Sequence, residues 1–259
     1  MAYQNLLTEI KENILYVTIN REKALNALNK DTLDELAAVI EFAGQTAEVR
    51  GVIITGVGEK AFVAGADIKE FSDYSGAQGE ELAKRGHERV FNAIENSSKP
   101  FIAAINGFAL GGGLELAMAC HMRVAAENAR LGLPEVTLGL IPGYGGTQRL
   151  TQLVGKGKAI EMITTANMIS AIDAEKIGLV NYVVPQADLI SKAVEILNLV
   201  KQRAPLAVAA AIKAVNAAVS NENGFETEIA AFGKCFDTAD FKEGVSAFVE
   251  KRKAVFSGK

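Results

Sequence analysis

The run Asn106-Gly107-Phe108-Ala109-Leu110-Gly111-Gly112-Gly113-Leu114-Glu115-Leu116 decides how this chain is read. It is followed by Leu133-Pro134-Glu135-Val136 and by Gly139-Leu140-Ile141-Pro142-Gly143-Tyr144-Gly145-Gly146-Thr147-Gln148-Arg149-Leu150. Glycines lack a Cβ, so a ligand or another strand can lie against bare backbone. Each of the two glutamates stands in apolar surroundings beside such a turn. Free backbone N–H groups next to two carboxylates are what acid–base chemistry beside a carbonyl requires.

Working outward, strand and helix signals alternate. Ile14 to Ile19 is β-branched and aromatic and reads as a buried strand. A polar loop, Asn20 to Asn26, follows. Asp31 reads as an N-cap, with Leu33, Leu36, Ala37 and Ile40 behind it at helical spacing. Val52 to Thr55 and Ala61 to Val63 read as strands. Asp67 and Glu70 have the spacing of a capping box. Residues 72–80 read as a loose segment and 80–96 as a helix broken by Pro100. Phe101 to Ile105 is a continuous apolar strand, Leu114 to Cys120 a buried helix, and Met122 to Ala126 and Ala129 to Leu131 short strands. Another helix begins at the glycines near Tyr144. Beyond about residue 156 strand signals nearly vanish and amphipathic helices take over, at Ile190 to Val200, Leu206 to Val219, 225–236 and 239–255. This is an α/β chain with a helical C-terminal appendage.

Composition narrows the function. The 259 residues suffice for a large core, with 49% hydrophobic and 22% charged residues and a net charge of −4. That charge offers no field for nucleic acid or an anionic membrane. The apolar runs are too short to span a bilayer. Cys120 and Cys235 have neither metal nor redox spacing, and a disulfide framework is not expected. Met1 to Asn5 has no secretory signature, so a reducing, cytoplasmic setting is expected. His87 and His121 lack zinc spacing, and no metal is expected.

The glycine run is not a nucleotide loop. Leu116 stands where the dinucleotide fingerprint needs Gly or Ala, and no Gly-Lys-Ser/Thr follows any glycine run. Tight packing explains the glycines as well as a ligand does. An oxyanion site is the sharper reading: the Gly112 N–H would project from the start of the 114–120 helix, where unpaired donors and the helix dipole favour negative charge. Glu115 and Glu135 can each be read as a helix-start carboxylate, Glu135 with Pro134 at the first helical position. Their apolar neighbours, Leu114, Leu116, Leu133, Val136 and Leu138, argue for more. Burial raises a carboxyl's pKa into the range useful for proton transfer.

These residues resemble the crotonase superfamily, the enoyl-CoA hydratases and isomerases, and most of all the short-chain enoyl-CoA hydratases. The likeness runs over nearly the whole chain: Asn20 to Leu28, Ala61 to Lys69, Lys99 to Gly107, Gly111 to Glu115, Pro134-Glu135, Ile141 to Leu150 and Phe248 to Lys253. It implies a spiral of ββα turns over residues 1–195. It also implies a C-terminal helical trimerisation region over 196–259, with assembly into trimers or dimers of trimers. It implies Glu115 and Glu135 as the catalytic pair, with Glu115 activating water and Glu135 serving the α-carbon. The oxyanion donors would be the backbone N–H groups of Ala64 and Gly112. Ala24, Ala66, Asp67, Ile68 and Gly143 would contact the CoA or substrate, as would Phe248 and Lys251 across a subunit boundary. No cofactor is implied, since CoA is part of the substrate.

The implied reaction is reversible addition of water to a trans-2-enoyl-CoA, in fatty-acid β-oxidation or in dehydration of 3-hydroxybutyryl-CoA. An isomerase needs only one carboxylate, so both glutamates favour hydration. Leu114 and His121 differ from better-known members and Tyr144 falls at a variable position, which leaves acyl selectivity open; a branched, methylglutaconyl-type substrate stays an alternative, because in the family that selectivity lies in the variable 71–85 segment. An RNA-binding member is disfavoured by the acidic balance. A purely structural oligomer would leave the two carboxylates unexplained.

Overall fold

In a computed structural model, which describes residues 3–220 and 223–259, the chain forms two sheets wrapped by helices. The main sheet contains β1 (Leu6–Lys11), β2 (Ile14–Ile19), β3 (Gly51–Gly56), β5 (Phe101–Ile105), β7 (Met122–Ala126) and β10 (Tyr182–Val184), in the order β1-β2-β3-β5-β7-β10. The smaller sheet contains β4 (Ala61–Val63), β6 (Phe108–Leu110), β8 (Arg130–Gly132) and β9 (Ile169–Ser170), in that order. Among the described residues only the β1–β2 and β8–β9 pairs are antiparallel. After the β1–β2 hairpin, the turns from β3 to β8 therefore each lay one strand in the main sheet and the next in the small sheet, then return through a helix. This is the expected spiral of ββα turns.

The strand residues alternate between two apolar layers. Val52, Ile54, Phe101, Ala103 and Ile105 face the larger core. Ile14, Ile53, Ile102, Ala104 and Val124 face the other way, onto the Leu189–Lys201 helix through Leu189, Ala193, Ile196 and Leu197. A parallel sheet covered on both sides reads as a continuous apolar run, which explains Phe101 to Ile105. Ile196 and Leu197 of this helix belong to the cover of the sheet.

Two buried asparagines join the sheets. Asn106 Nδ2 donates to Gly56 O at 3.0 Å, Gly58 O at 2.7 Å and Ala61 O at 3.2 Å. Asn26 Nδ2 donates to Val57 O and Ala61 O at 3.0 and 2.8 Å, while its Oδ1 accepts from Arg21 N. Buried amides with filled hydrogen-bonding capacity fix one geometry for the crossover between sheets.

Several local expectations are corrected. The first long helix, Lys30–Gln45, is capped by Asn29, whose side chain accepts from Thr32 N; Asp31 lies inside its first turn. Asp67 makes no capping bond; its carboxylate pairs with Arg21 at 2.9 Å, and Glu70 accepts from Lys30 N at 2.7 Å. The capping box belongs instead to Ser75 and Gln78, so the segment read as loose holds the start of the Gly76–Gly86 helix. That helix continues through a π turn, His87–Phe91, to Asn92–Glu95. Pro134 sits at the N-cap of a 3-10 turn, Glu135–Leu138, one position before the expected one. Strands β1, β6, β9 and β10 had no clear signal, being short or at an edge.

Gly113 shows how tightly the sheets meet the following helix, Gly112–Ala119: a Cβ there would stand 2.0 Å from Val63 O and 2.7 Å from Val63 Cβ. Backbone cannot move aside as a flexible side chain can. Gly113→Ala is expected to destabilise the fold by about 3 kcal/mol, the upper end for overpacking. The measurement is a urea midpoint, and an unchanged midpoint would refute the close-approach account.

Candidate active site

The small sheet assembles the site. Strands β4, β6 and β8 run parallel, with Ala61 beside Phe108 and Leu110 beside Gly132. Their carboxyl ends therefore lie side by side, the usual place for a ligand in an α/β sheet. The first ends in Ala64-Gly65-Ala66, the second in the glycine run and Glu115, and the third in Leu133-Pro134-Glu135.

Gly111, at φ 51°, is the N-cap of the helix after β6, and its N–H donates across to Gly132 O at 2.9 Å. The Gly112 N–H is at the first helical position and has no intrahelical acceptor. Ala64, expected as the partner donor, is already engaged: its N–H donates to Leu25 O at 3.1 Å. Ala66 keeps a free donor on this loop. Leu28 N donates to Gly65 O and Asp67 N to Leu28 O, at 2.9 and 2.8 Å, so these bonds flank Ala66 and leave its own N–H without an acceptor among the described residues. The Ala66 nitrogen lies 3.7 Å from where a Cβ on Gly112 would stand. Two free N–H groups thus share one small space.

Glu115 is 1% exposed. Its Oε1 accepts from Tyr144 N and Gly146 N, both at 2.7 Å, and Oε2 has no partner among the described residues. Burial pushes its pKa up to about 7; the Gly146 N–H opposes this, the Glu135 charge adds to it, and the Tyr144 N–H and Arg149 oppose it. Glu135 is partly buried, and burial raises its pKa too. Its Oε2 is buried with no hydrogen bond, while its Oε1 lies 2.9 Å from the position of a Cβ on Gly111. One carboxyl is thus held by donors that favour its ionised form. The other has no hydrogen bond at Oε2, and only its own backbone N–H opposes the upward push of burial.

Beside Ala66 opens a cavity of about 240 Å³ lined by Leu28, Leu33, Phe71, Leu82 and Tyr144 among others. Tyr144 stacks on Phe91 with ring centroids 4.7 Å apart and packs over Gly86, where a Cβ would stand 2.3 Å from its ring. Ala66 lines this cavity, while Ala24 lies in the 20–28 loop, which is tied to the Ala64–Asp67 segment before Ile68 by the Arg21–Asp67 pair and the loop bonds just described. Gly143 is exposed on the turn next to the Glu115 partners. Phe248 and Lys251 are not brought into this group within one chain. They end the last helix, Ala239–Glu250, with Phe248 85% exposed and Lys251 as its left-handed cap.

Some site residues carried no sequence signal of their own. Ala66 as a donor depends on which loop amides are already taken. Arg149, Glu95 and Asn92 meet only because a helix end and the Tyr144 turn pack together.

Known proteins with this pattern extend over the same length. The chain is 49% identical over 257 residues to the short-chain-enoyl-CoA hydratase of Clostridium acetobutylicum, covering 98% of this chain and 97% of that one. It is 47% identical over 261 residues to the crotonyl-CoA hydratase of Syntrophomonas wolfei, covering all of both. The crystal structure of an enoyl-CoA hydratase from Bacillus anthracis superposes with a TM-score of 0.93 at 40% identity, covering 99% of this chain and 100% of that one. The family model for enoyl-CoA hydratase/isomerase matches residues 9–259. With two carboxyls and two free amides at the ends of adjacent strands and this likeness over the full length, the chain belongs to the enoyl-CoA hydratase/isomerase family of the crotonase superfamily.

Proposed function

We propose that this chain is a short-chain enoyl-CoA hydratase, a hydro-lyase that adds water reversibly to a trans-2-enoyl-CoA to give (3S)-3-hydroxyacyl-CoA. The observation that carries this reading is the unequal pair of carboxyls beside two free amides. The thioester oxygen sits between the N–H groups of Ala66 and Gly112, with Ala66 in place of Ala64 because the latter is already bonded. Donors preorganised for a developing oxyanion are typically worth a hundredfold or more each.

With the carbonyl polarised, the β-carbon becomes electrophilic. Glu115, ionised, takes a proton from a water at its free Oε2, and the water oxygen bonds to the β-carbon. The double-bond electrons move toward the thioester, forming an enolate whose oxygen the two amides hold. Glu135, protonated, then delivers its proton to the α-carbon. Dehydration runs the same steps backwards. Ala24, Asp67, Ile68 and Gly143 line the path of the CoA, and Phe248 and Lys251 approach it from a neighbouring copy. An isomerase would use one carboxyl; the two amide bonds that keep Glu115 in place support hydration.

The helices after Lys201 support assembly. Phe225 is 82% exposed, Phe232 67% and Phe248 85%, large apolar side chains of the kind that form interaction surfaces. We place the trimerisation region here and the enzyme in the cytoplasm. The solution mass is expected at three or six times 27.5 kDa, and Phe232→Asp should lower it; a wild-type monomer by light scattering would overturn the assembly reading.

Crotonyl-CoA hydration, followed by loss of the enoyl-thioester absorbance, tests the chemistry. Glu115→Gln and Glu135→Gln are each expected to lose at least about a hundredfold in kcat. Retained turnover in Glu115→Gln would refute the two-carboxyl mechanism. The pH profile provides a separate check. The Glu115 pKa is raised to about 7 and its ionised form is the active one, so kcat should fall as pH drops through about 7. A flat profile from pH 8 to 5 would show that this group does not act as the base.

A further inference from the structure

Behind Glu115 lies a buried cation that the proposed chemistry does not use. Arg149 is 5% exposed and belongs to the Gly146–Val154 helix. Its Nη1 donates to Tyr144 O at 2.9 Å. Its Nη2 donates to Glu95 Oε2 at 2.6 Å and to Asn92 Oδ1 at 2.7 Å, and its Nε to the same Glu95 oxygen at 3.2 Å. The Tyr144 carbonyl belongs to the peptide lying between the two N–H groups that hold Glu115. The turn itself is made by Gly145 at φ 97°, a conformation open to any rotation a glycine allows. A glycine turn does not keep one geometry unaided, and Arg149 supplies a fixed point on it.

We propose that Arg149, anchored by Glu95 and Asn92, is a positioning residue for the hydration reaction: it clamps the Tyr144–Gly146 turn so that both amides stay on Glu115 Oε1 and leave Oε2 free for water. This rests on the function proposed above. The clamp links the end of the Asn92–Glu95 helix to the base through three consecutive contacts, from Glu95 to Arg149, from Arg149 to the Tyr144 carbonyl, and from the turn amides to Glu115. It also places a positive charge near the carboxylate. The other titratable groups around Glu115 are Glu135 from the neighbouring turn, the Tyr144 phenol, and His87, whose ring approaches Gly145 from the π turn. Among these Arg149 favours the ionised base and Glu135 opposes it. Glu95 neutralises the guanidinium in part, with one carboxylate oxygen accepting from both Nε and Nη2.

The test compares Arg149→Met, Arg149→Lys and the double variant Glu95→Gln/Arg149→Met, which leaves no orphaned carboxylate should the single variant fold poorly. Two readouts are used: the pH dependence of kcat with crotonyl-CoA, and the infrared carboxyl band of protonated Glu115, identified as the band absent from Glu115→Gln. Loss of the clamp is expected to lower kcat at least tenfold with KM changed less than threefold. It should also move the acidic limb and the infrared titration together to higher pH. Arg149→Lys, which keeps the charge, should recover part of the rate and hold the limb near its wild-type position. Folded Met variants with wild-type kcat, or with reduced kcat but an unmoved limb and band, would overturn the proposal. A wild-type enzyme without hydration, whose Glu115 band still shifts in the Met variants, would instead overturn the reaction and leave the clamp standing.

Discussion

A carboxylate almost fully removed from water can stay in place only if the protein replaces the lost hydration. Glu115 meets this condition with one oxygen, through the amides of Tyr144 and Gly146. Much of the surrounding sequence follows from that pair of bonds. Two amides separated by one residue can reach one oxygen only if the chain between them turns sharply, which Gly145 does in the left-handed region. Gly146 must also lack a Cβ, which would stand 2.7 Å from Pro142 Cβ and 2.9 Å from the Glu115 oxygen itself. The Pro142-Gly143-Tyr144-Gly145-Gly146 run is therefore a built receptor for one carboxylate. The half-satisfied state of Glu115 is useful as well, since the second oxygen keeps its capacity for a water molecule.

The glycine run before Glu115 meets three separate constraints in consecutive positions. Gly111 takes a positive φ to turn from β6 into the helix. Gly112 presents its amide to the space shared with Ala66. Gly113 lets the helix touch the backbone of Val63 at a distance no Cβ would allow. Because β4, β6 and β8 are parallel, these features and Glu135 arrive at the same end of the small sheet without any long connection. The main sheet serves as a platform, with its two apolar faces filled by the larger core and by the Leu189–Lys201 helix. Asn26 and Asn106 lock the platform to the small sheet, so the site inherits the rigidity of both.

Much of this was legible before any coordinates. The long apolar runs named the central strands, because a strand buried on both faces leaves no room for polar residues. The glycine and glutamate pattern marked both carboxyls and the Gly112 amide as candidates, and the structure brings the segments that carry them to one end of the small sheet. Weaker features were misread for local reasons. Asn29 and Asp31 are both good caps, and only the entry angle of the chain chose Asn29. Asp67 and Glu70 have the spacing of a capping box, yet Arg21 and the Lys30 amide compete for them across the loop. Gly76 and Gly79 made 72–80 look unstructured, while the Ser75–Gln78 box starts a helix there.

By itself the sequence determined the alternation of strands and helices and the helical end, which are written in periodicity, and through its resemblance the spiral and the family; its contiguous motifs marked the two glutamates as candidates. Only the tertiary structure decided which amides are free, which carboxyl is held by donors, and which cation stands behind the base. Those properties belong to contacts between segments distant in the chain. Ala64 and Ala66 are the same residue type two positions apart, and nothing in their spelling distinguishes them. The Leu25 carbonyl, brought in by the 20–28 loop, occupies one and leaves the other open. Arg149 is equally anonymous until Glu95 and Asn92, more than fifty residues earlier, close around it.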